Sequence, residues 1–148
     1  MTTSIYPFLQ TVKYTEGVSD PAELPLFIDA KWNDAEGCAE LDELEEPIMV
    51  SGTEAIRGWI YRTLRTQRYA EELYSFDYGS EVSDLIGRNW SKETRLSEAE
   101  RYIKEALLQN PYILSVEIDD LTFENCTLTV SLTARTVYAD IRLEATNV

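Results

Sequence analysis

From Leu114 onward the chain alternates apolar and polar residues through three successive runs, and a period of two can be buried on one side only by a sheet with one face on a core. Leu114, Val116 and Ile118 alternate with Ser115 and Glu117. Leu128, Val130 and Leu132 alternate with Thr127, Thr129, Ser131 and Thr133, and Ala139, Ile141, Leu143 and Ala145 with Tyr138, Asp140, Arg142 and Glu144. Three antiparallel strands with one solvated face are expected. Their apolar face needs a cover, which the segments before it must provide.

Those segments carry helical spacing. Ser51 and Glu54 have the spacing of a capping box, and Ile56, Trp59, Ile60 and Leu64 follow on one face, predicting a helix from 53 to about 68. Its other side carries Arg57, Tyr61, Arg65 and Arg68, which is either a solvated face or half of an interface with acidic groups. A short helix is expected over 80–87, with Ser80 as cap and Val82, Leu85 and Ile86 facing inward. A second capping box, Ser97 with Glu100, opens a helix through Gln109 with Ala99, Ile103, Ala106 and Leu107 as its stripe. Asn110 and Pro111 end it. The expected fold is α+β, with two to three helices packed on a small antiparallel C-terminal sheet and an N-terminal extended arm and hairpin.

The hairpin is read from LFIDAKWN, 26–33, which places Leu26, Ile28, Ala30 and Trp32 on one face, with NDAEG as a turn and IMVSG, 48–52, as the return strand. Before it, Pro7, Gly17, Pro21 and Pro25 punctuate a stretch of little periodicity. Residues 1–24 therefore read as an extended arm, and 25–148 as one α+β domain with enough apolar residues for a core. Eleven acids against Lys13 and Lys31 fall in residues 1–50, so the first third could dock on basic partner surfaces.

The whole chain carries a formal net charge of -14, which repels phosphate backbones and anionic lipid headgroups; no nucleic acid and no membrane are expected as partners. No apolar run is long enough to cross a bilayer and MTTSIYPFLQ lacks the features of a signal peptide, so the chain is expected to be made in a cytosol and to stay soluble. Cys38 and Cys126 read as reduced thiols, one in a loop and one filling a strand.

Catalytic chemistry is scarce. There is no histidine, which removes Ser-His-Asp and Cys-His catalysis and histidine-based metal sites. A carboxylate-dependent cell-wall hydrolase of the lysozyme type is the alternative that abundant acids keep open, with no pair of them marked by the sequence. In WNDAEGCAELDE, a calcium-loop register on Gly37 places Asp34, Glu36 and Glu43 suitably but puts Trp32 at the first ligand position, so a solvated acidic turn is expected. No phosphate loop occurs, and no catalytic, cofactor or metal residue is assigned.

The stretch RTQRYAEELYSFDYGSEVSDLIG, 65–87, interleaves arginine with Tyr69, Tyr74, Phe76 and Tyr78. Glu71, Glu72, Asp77 and Glu81 among the rings would repel a nucleic-acid backbone. Two readings remain: the aromatics close the protein's own core around a turn, or they anchor a protein interface, for which tyrosine and arginine are favoured.

The succession VSGTEAIRGWIYRTLRTQRY, YSFDYGSEVSDLIG, a helix ending in NPYILSVEIDDL, and the strands LTVSLTAR and ADIRLEA resembles the small baseplate protein of contractile phage tails. It is most similar to the version in defective phage-like particles and myophages of Gram-positive bacteria, and more distantly similar to the wedge protein that initiates the sheath in T-even phages and type VI secretion systems. The resemblance covers about residues 24–146. It implies a non-enzymatic component of a six-fold baseplate, located in a virion or phage-like particle after assembly from the bacterial host cytoplasm. The implied partners are a larger baseplate wedge protein, the sheath protein, and tail tube or hub proteins. Arg68, Tyr78 and Gly79 match the polar motif after the first helix in the sheath-initiator branch, whereas Gln67 and Tyr69 depart from it. On this reading Arg68, Tyr69, Tyr74, Tyr78 and Gly79 form one protein interface. The last strand, with Asp140 and Arg142, is a second interface that receives a neighbour's strand, although the same charges could blunt an ordinary edge.

Overall fold

The computed structural model describes residues 24–69 and 78–146. Along the chain lie β1 (Ile28–Ala30), β2 (Trp32–Asn33), β3 (Cys38–Ala39), β4 (Met49–Ser51), α1 (Thr53–Arg65), a single 3-10 turn (Val82–Leu85), α2 (Lys92–Leu108), β5 (Ile113–Glu124), β6 (Thr127–Thr136) and β7 (Asp140–Thr146). The architecture is α+β. Almost all of the expected arm, together with Tyr74 and Phe76, falls outside the described residues.

The C-terminal sheet is antiparallel in the order β5-β6-β7. Register sets Ile118 opposite Leu132 and Leu132 opposite Leu143, so the apolar residues of three strands share one face. That face is buried through Val116, Leu128, Val130, Leu132, Ala134, Ile141, Leu143 and Ala145. Two departures from the expected pattern occur. Leu114 is exposed and Ile113 is buried in its place, because the ladder shifts register between Ile113 and Ser115 and turns the strand over by one residue. Ala139 is exposed, since β7 begins only at Asp140. The β5–β6 turn uses Asn125 and Cys126 at φ 47 and 63, the left-handed pair that a two-residue hairpin requires.

Two helices cover the apolar face. α2 packs along β5, and α1 lies against α2 and reaches β7. Ile56, Ile60, Leu64, Ile103 and Leu107 fill the layer between them and the sheet. α1 begins at Thr53 as expected but without its expected cap, and α2 begins earlier than the capping-box spacing implies. Ser51 is the last residue of β4 and makes no cap; Gly52, at φ 66, turns the strand into α1. α2 starts at Lys92, where the Ser91 side chain accepts from the Thr94 amide at 3.2 Å, which leaves Ser97 an exposed residue inside the helix. α1 ends at Arg65, short of the expected 68, and the 3-10 turn leaves Ile86 exposed.

The first third also differs in its facing. LFIDAKWN is broken at Lys31 into β1 and β2. β1 pairs with β4, Ile28 opposite Ser51 and Ala30 opposite Met49, and β2 pairs with β3 across the Asp34–Gly37 turn. Phe27 packs on the core while Leu26 and Ile28 point to solvent, the reverse of the expected side, whereas Trp32, beyond the break, packs on the core as expected. The reason is Asp29, which takes the inward side to form an ion pair with Arg62 of α1. Of the cysteines, Cys38 is on β3 and Cys126 in the hairpin turn, one on a strand and one in a loop as expected, although both are exposed and neither fills a core.

The cap assignment is directly testable. Ser91→Ala should lower unfolding free energy by about 1 kcal/mol, and Ser97→Ala should leave it within about 0.5 kcal/mol. Urea denaturation at unchanged m-value reads both, and equal losses would restore Ser97 as the cap.

Candidate functional site

After α1 the chain goes extended at Thr66, whose hydroxyl and amide both donate to the Arg62 carbonyl and finish the last turn. Residues 66–68 then run parallel to the segment at Ser80, bridged at Gln67. The Ser80 amide donates to the Thr66 carbonyl at 2.8 Å, and the Arg68 amide to the Ser80 carbonyl at 3.1 Å. These bonds tie the two segments together as a neck.

Gly79 makes the neck possible. It sits at φ 101, and a Cβ there would lie 2.7 Å from the Thr66 carbonyl oxygen and 3.0 Å from the Arg68 amide nitrogen. No side chain fits between two backbones so close.

Arg68 locks the neck to the helical layer. Its side chain is 6% exposed, with one guanidinium nitrogen 3.2 Å from a Glu105 carboxylate oxygen on α2 and 3.6 Å from Glu81. Glu105 is shared with Arg101, and Gln67 donates to Asp84 of the 3-10 turn. The basic stripe expected on α1 is therefore divided. Arg57 and Arg65 are exposed, Tyr61 and Arg68 are buried, and the Tyr61 hydroxyl donates to the Glu144 carbonyl on β7 at 3.1 Å. Neither Glu81 nor Glu105 was marked by spacing, because Glu105 is 37 residues from Arg68 in the chain.

The aromatics separate as well. Tyr69 has a left-handed backbone at φ 65 and is largely exposed, 6.0 Å from the Arg68 guanidinium carbon. Tyr78 meets Trp59 edge to face at 6.1 Å. Together with Phe27, Asn110, Pro111 and Tyr112 these two rings line an open groove of about 390 Å3. At its end the Tyr112 hydroxyl donates to the Pro25 carbonyl at 2.7 Å, and Tyr138 accepts from the Phe27 amide at 3.0 Å. Burial, and secondarily the neighbouring Tyr138, pushes the Tyr112 hydroxyl above the ordinary phenol range, so it remains a donor to Pro25.

Asp140 and Arg142 stand elsewhere, exposed on β7, the outer strand of the sheet beside β6. On the solvated face they flank a row of Thr129, Ser131 and Thr133, with Arg142 opposite Thr133 and Thr133 opposite Glu117. The structure thus forms two separate places: the neck at Arg68, Tyr69, Tyr78 and Gly79, and the β7 edge. Among the described residues no group of acids and cysteines is arranged to hold a metal ion.

Comparison with known proteins shows what the chain is similar to. The family described as contractile injection system sheath initiator matches residues 28–139, about three-quarters of the chain. The phage-like element PBSX protein XkdS of Bacillus subtilis (strain 168) is 29% identical over 97 residues, covering 65% of this chain and 69% of that protein.

Replacing Gly79 by Ala should destabilise the fold by about 3 kcal/mol, through strain and the clash with Thr66. Arg68→Ala should lose about 2 kcal/mol, moderated because water can reach both glutamates. Thermal unfolding of the two variants checks this, and two unchanged midpoints would mean that the neck carries no structural role.

Proposed function

The chain belongs to the contractile injection system sheath initiator family, and from that membership we propose that it joins wedge, tail tube and first sheath ring in the baseplate of a phage or phage-like particle. The family is one of structural tail components that work with sheath and other tail proteins. The finer reading places the chain in a six-fold baseplate, assembled from the host cytoplasm. There its last strand extends a sheath sheet by β-augmentation, and the neck presents Tyr69 and Tyr78 to a larger wedge protein. It performs no reaction of its own, and a turbidity assay on peptidoglycan is expected to give no clearing.

One observation carries this reading. β7 is an outer strand, paired to β6 over the full span Asp140–Thr146, while Ile141, Leu143 and Ala145 are held in the core. A strand so anchored offers its other edge on a rigid support, which a loop would not. Arg68, buried within the neck, serves the wedge contact by fixing the turn, and its partners are internal.

Because β7 contributes three core side chains, deleting it would unfold the protein and test nothing. Reversing the exposed charges leaves the core alone. The double variant Asp140→Lys, Arg142→Glu should stay folded and retain the wedge protein on co-expression, yet capture about tenfold less sheath subunit through mismatched register and charge. Sheathed tails at the wild-type frequency in electron micrographs would remove β7 from this role.

A further inference from the structure

Among the described residues, half of the large apolar side chains that stand exposed come from one short stretch: Leu26, Ile28, Leu41, Leu44 and Met49. The fold gathers them. Opposed residues of an antiparallel pair share a face, so Ile28, Ala30, Met49 and Ser51 point to one side, and Asp29 and Val50 to the other, toward α1. Two residues before Met49, Pro47 pairs with Leu41, and the turn beyond them carries Leu44 at its tip.

Leu44 is 79% exposed, yet its backbone is held firmly. The Asp42 carboxylate accepts from the Leu44 and Glu46 amides at 2.8 and 3.0 Å, and the Asp42 amide donates to the Glu46 carbonyl at 2.8 Å. Single exposed apolar residues are ordinary on a protein surface. Five on one ribbon, with the most exposed one raised on a bonded turn, form a face with something missing from it.

Charge selects what is missing. Around Leu44 stand Glu43, Glu45 and Glu46, all exposed, with Asp42 beneath and Glu40 engaged by Lys31. The chain's own residues 1–23 hold Lys13 against Glu16, Asp20 and Glu23, so that arm brings more negative charge to a negative rim. A second copy brings a formal net charge of -14. Both are repelled.

We propose that the outward face of the β1–β4 ribbon, with the Leu44 turn, docks a basic amphipathic segment of a different protein in the same particle. This rests on the assembly reading above. The segment's apolar residues cover Ile28, Leu41, Leu44 and Met49, and its lysines or arginines meet the glutamates at the rim. This surface is distinct from the β7 edge and from the neck, and gives the protein a third point of attachment.

The test places the photo-crosslinking residue p-benzoylphenylalanine at Leu44 or Met49, with Leu114 as an exposed position elsewhere, in particles assembled in the producing bacterium. Mass spectrometry should find positions 44 and 49 joined to one foreign segment, net positive and amphipathic, that position 114 does not reach. Leu44→Ser, which removes no core contact, should weaken recovery of that partner about tenfold. Crosslinks to residues 1–23, to a second copy or to an acidic segment would overturn the proposal. So would silence at both positions in particles that contain the protein. If β7 still bound sheath, the assembly reading would survive that loss. Absence of the protein from the particles would overturn the assembly reading and this surface with it.

Discussion

Val130 and Leu132 at the centre of β6 are almost wholly buried, as are Ile60 on α1 and Ile103 and Leu107 on α2. The apolar seam between one sheet face and two helices is the constraint on which every other feature depends. Each of these side chains contributes about 1.5 to 3 kcal/mol by leaving water, which no surface ion pair here can match. The seam fixes where α2 lies, and thereby where Glu105 waits for Arg68. It also fixes α1, which carries the β1–β4 ribbon on its far side through Asp29 and Arg62.

The parts of this arrangement that were legible in sequence are those where burial has a single direction. Leu128, Val130 and Leu132 alternate because β6 has one wet face, and Ala99, Ile103, Ala106 and Leu107 repeat because α2 has one dry stripe. Capping motifs failed for a local reason. Ser-x-x-Glu at 51 and 97 is a spacing, and spacing cannot tell that Ser51 is held in the β4 ladder or that Ser91 had already opened the helix six residues earlier. The β1 facing failed for a tertiary reason. Alternation assumes that the apolar side turns inward, but Asp29 finds Arg62 inward, 33 residues away, and Leu26 and Ile28 are left to solvent. At the neck, glycine announced a turn, but the close approach of Thr66 that demands it depends on a pairing between segments the sequence does not join.

Arginine at the end of α1 illustrates how one residue type serves different ends. Arg57, half-exposed, faces Asp34 at 3.9 Å, Arg62 ties α1 to the ribbon, and Arg68 ties the neck to α2. Helical spacing puts Arg57 and Arg68 in one stripe with Tyr61 and Arg65 and leaves Arg62 out of it. Partners decide among them, and the partners are distant acids whose positions are set by the seam.

The same helix explains how separate surfaces can belong to one mechanical unit. Tyr61 and Arg62 are neighbours on α1; the first donates to the Glu144 carbonyl of β7, and the second pairs with Asp29 of β1. Gly58, one turn earlier, lets Trp32 approach until its Cβ lies 3.0 Å from where a Cβ at position 58 would stand. The strand edge on one side and the apolar ribbon on the other are thus joined through a single helical turn without an intervening loop. A load applied at β7 passes to the ribbon through a hydrogen bond, an ion pair and a packed helix whose own side chains are core. On the proposed reading, with a partner on each of these two surfaces, that short path keeps the two attachments in fixed register, which a flexible linker would not do.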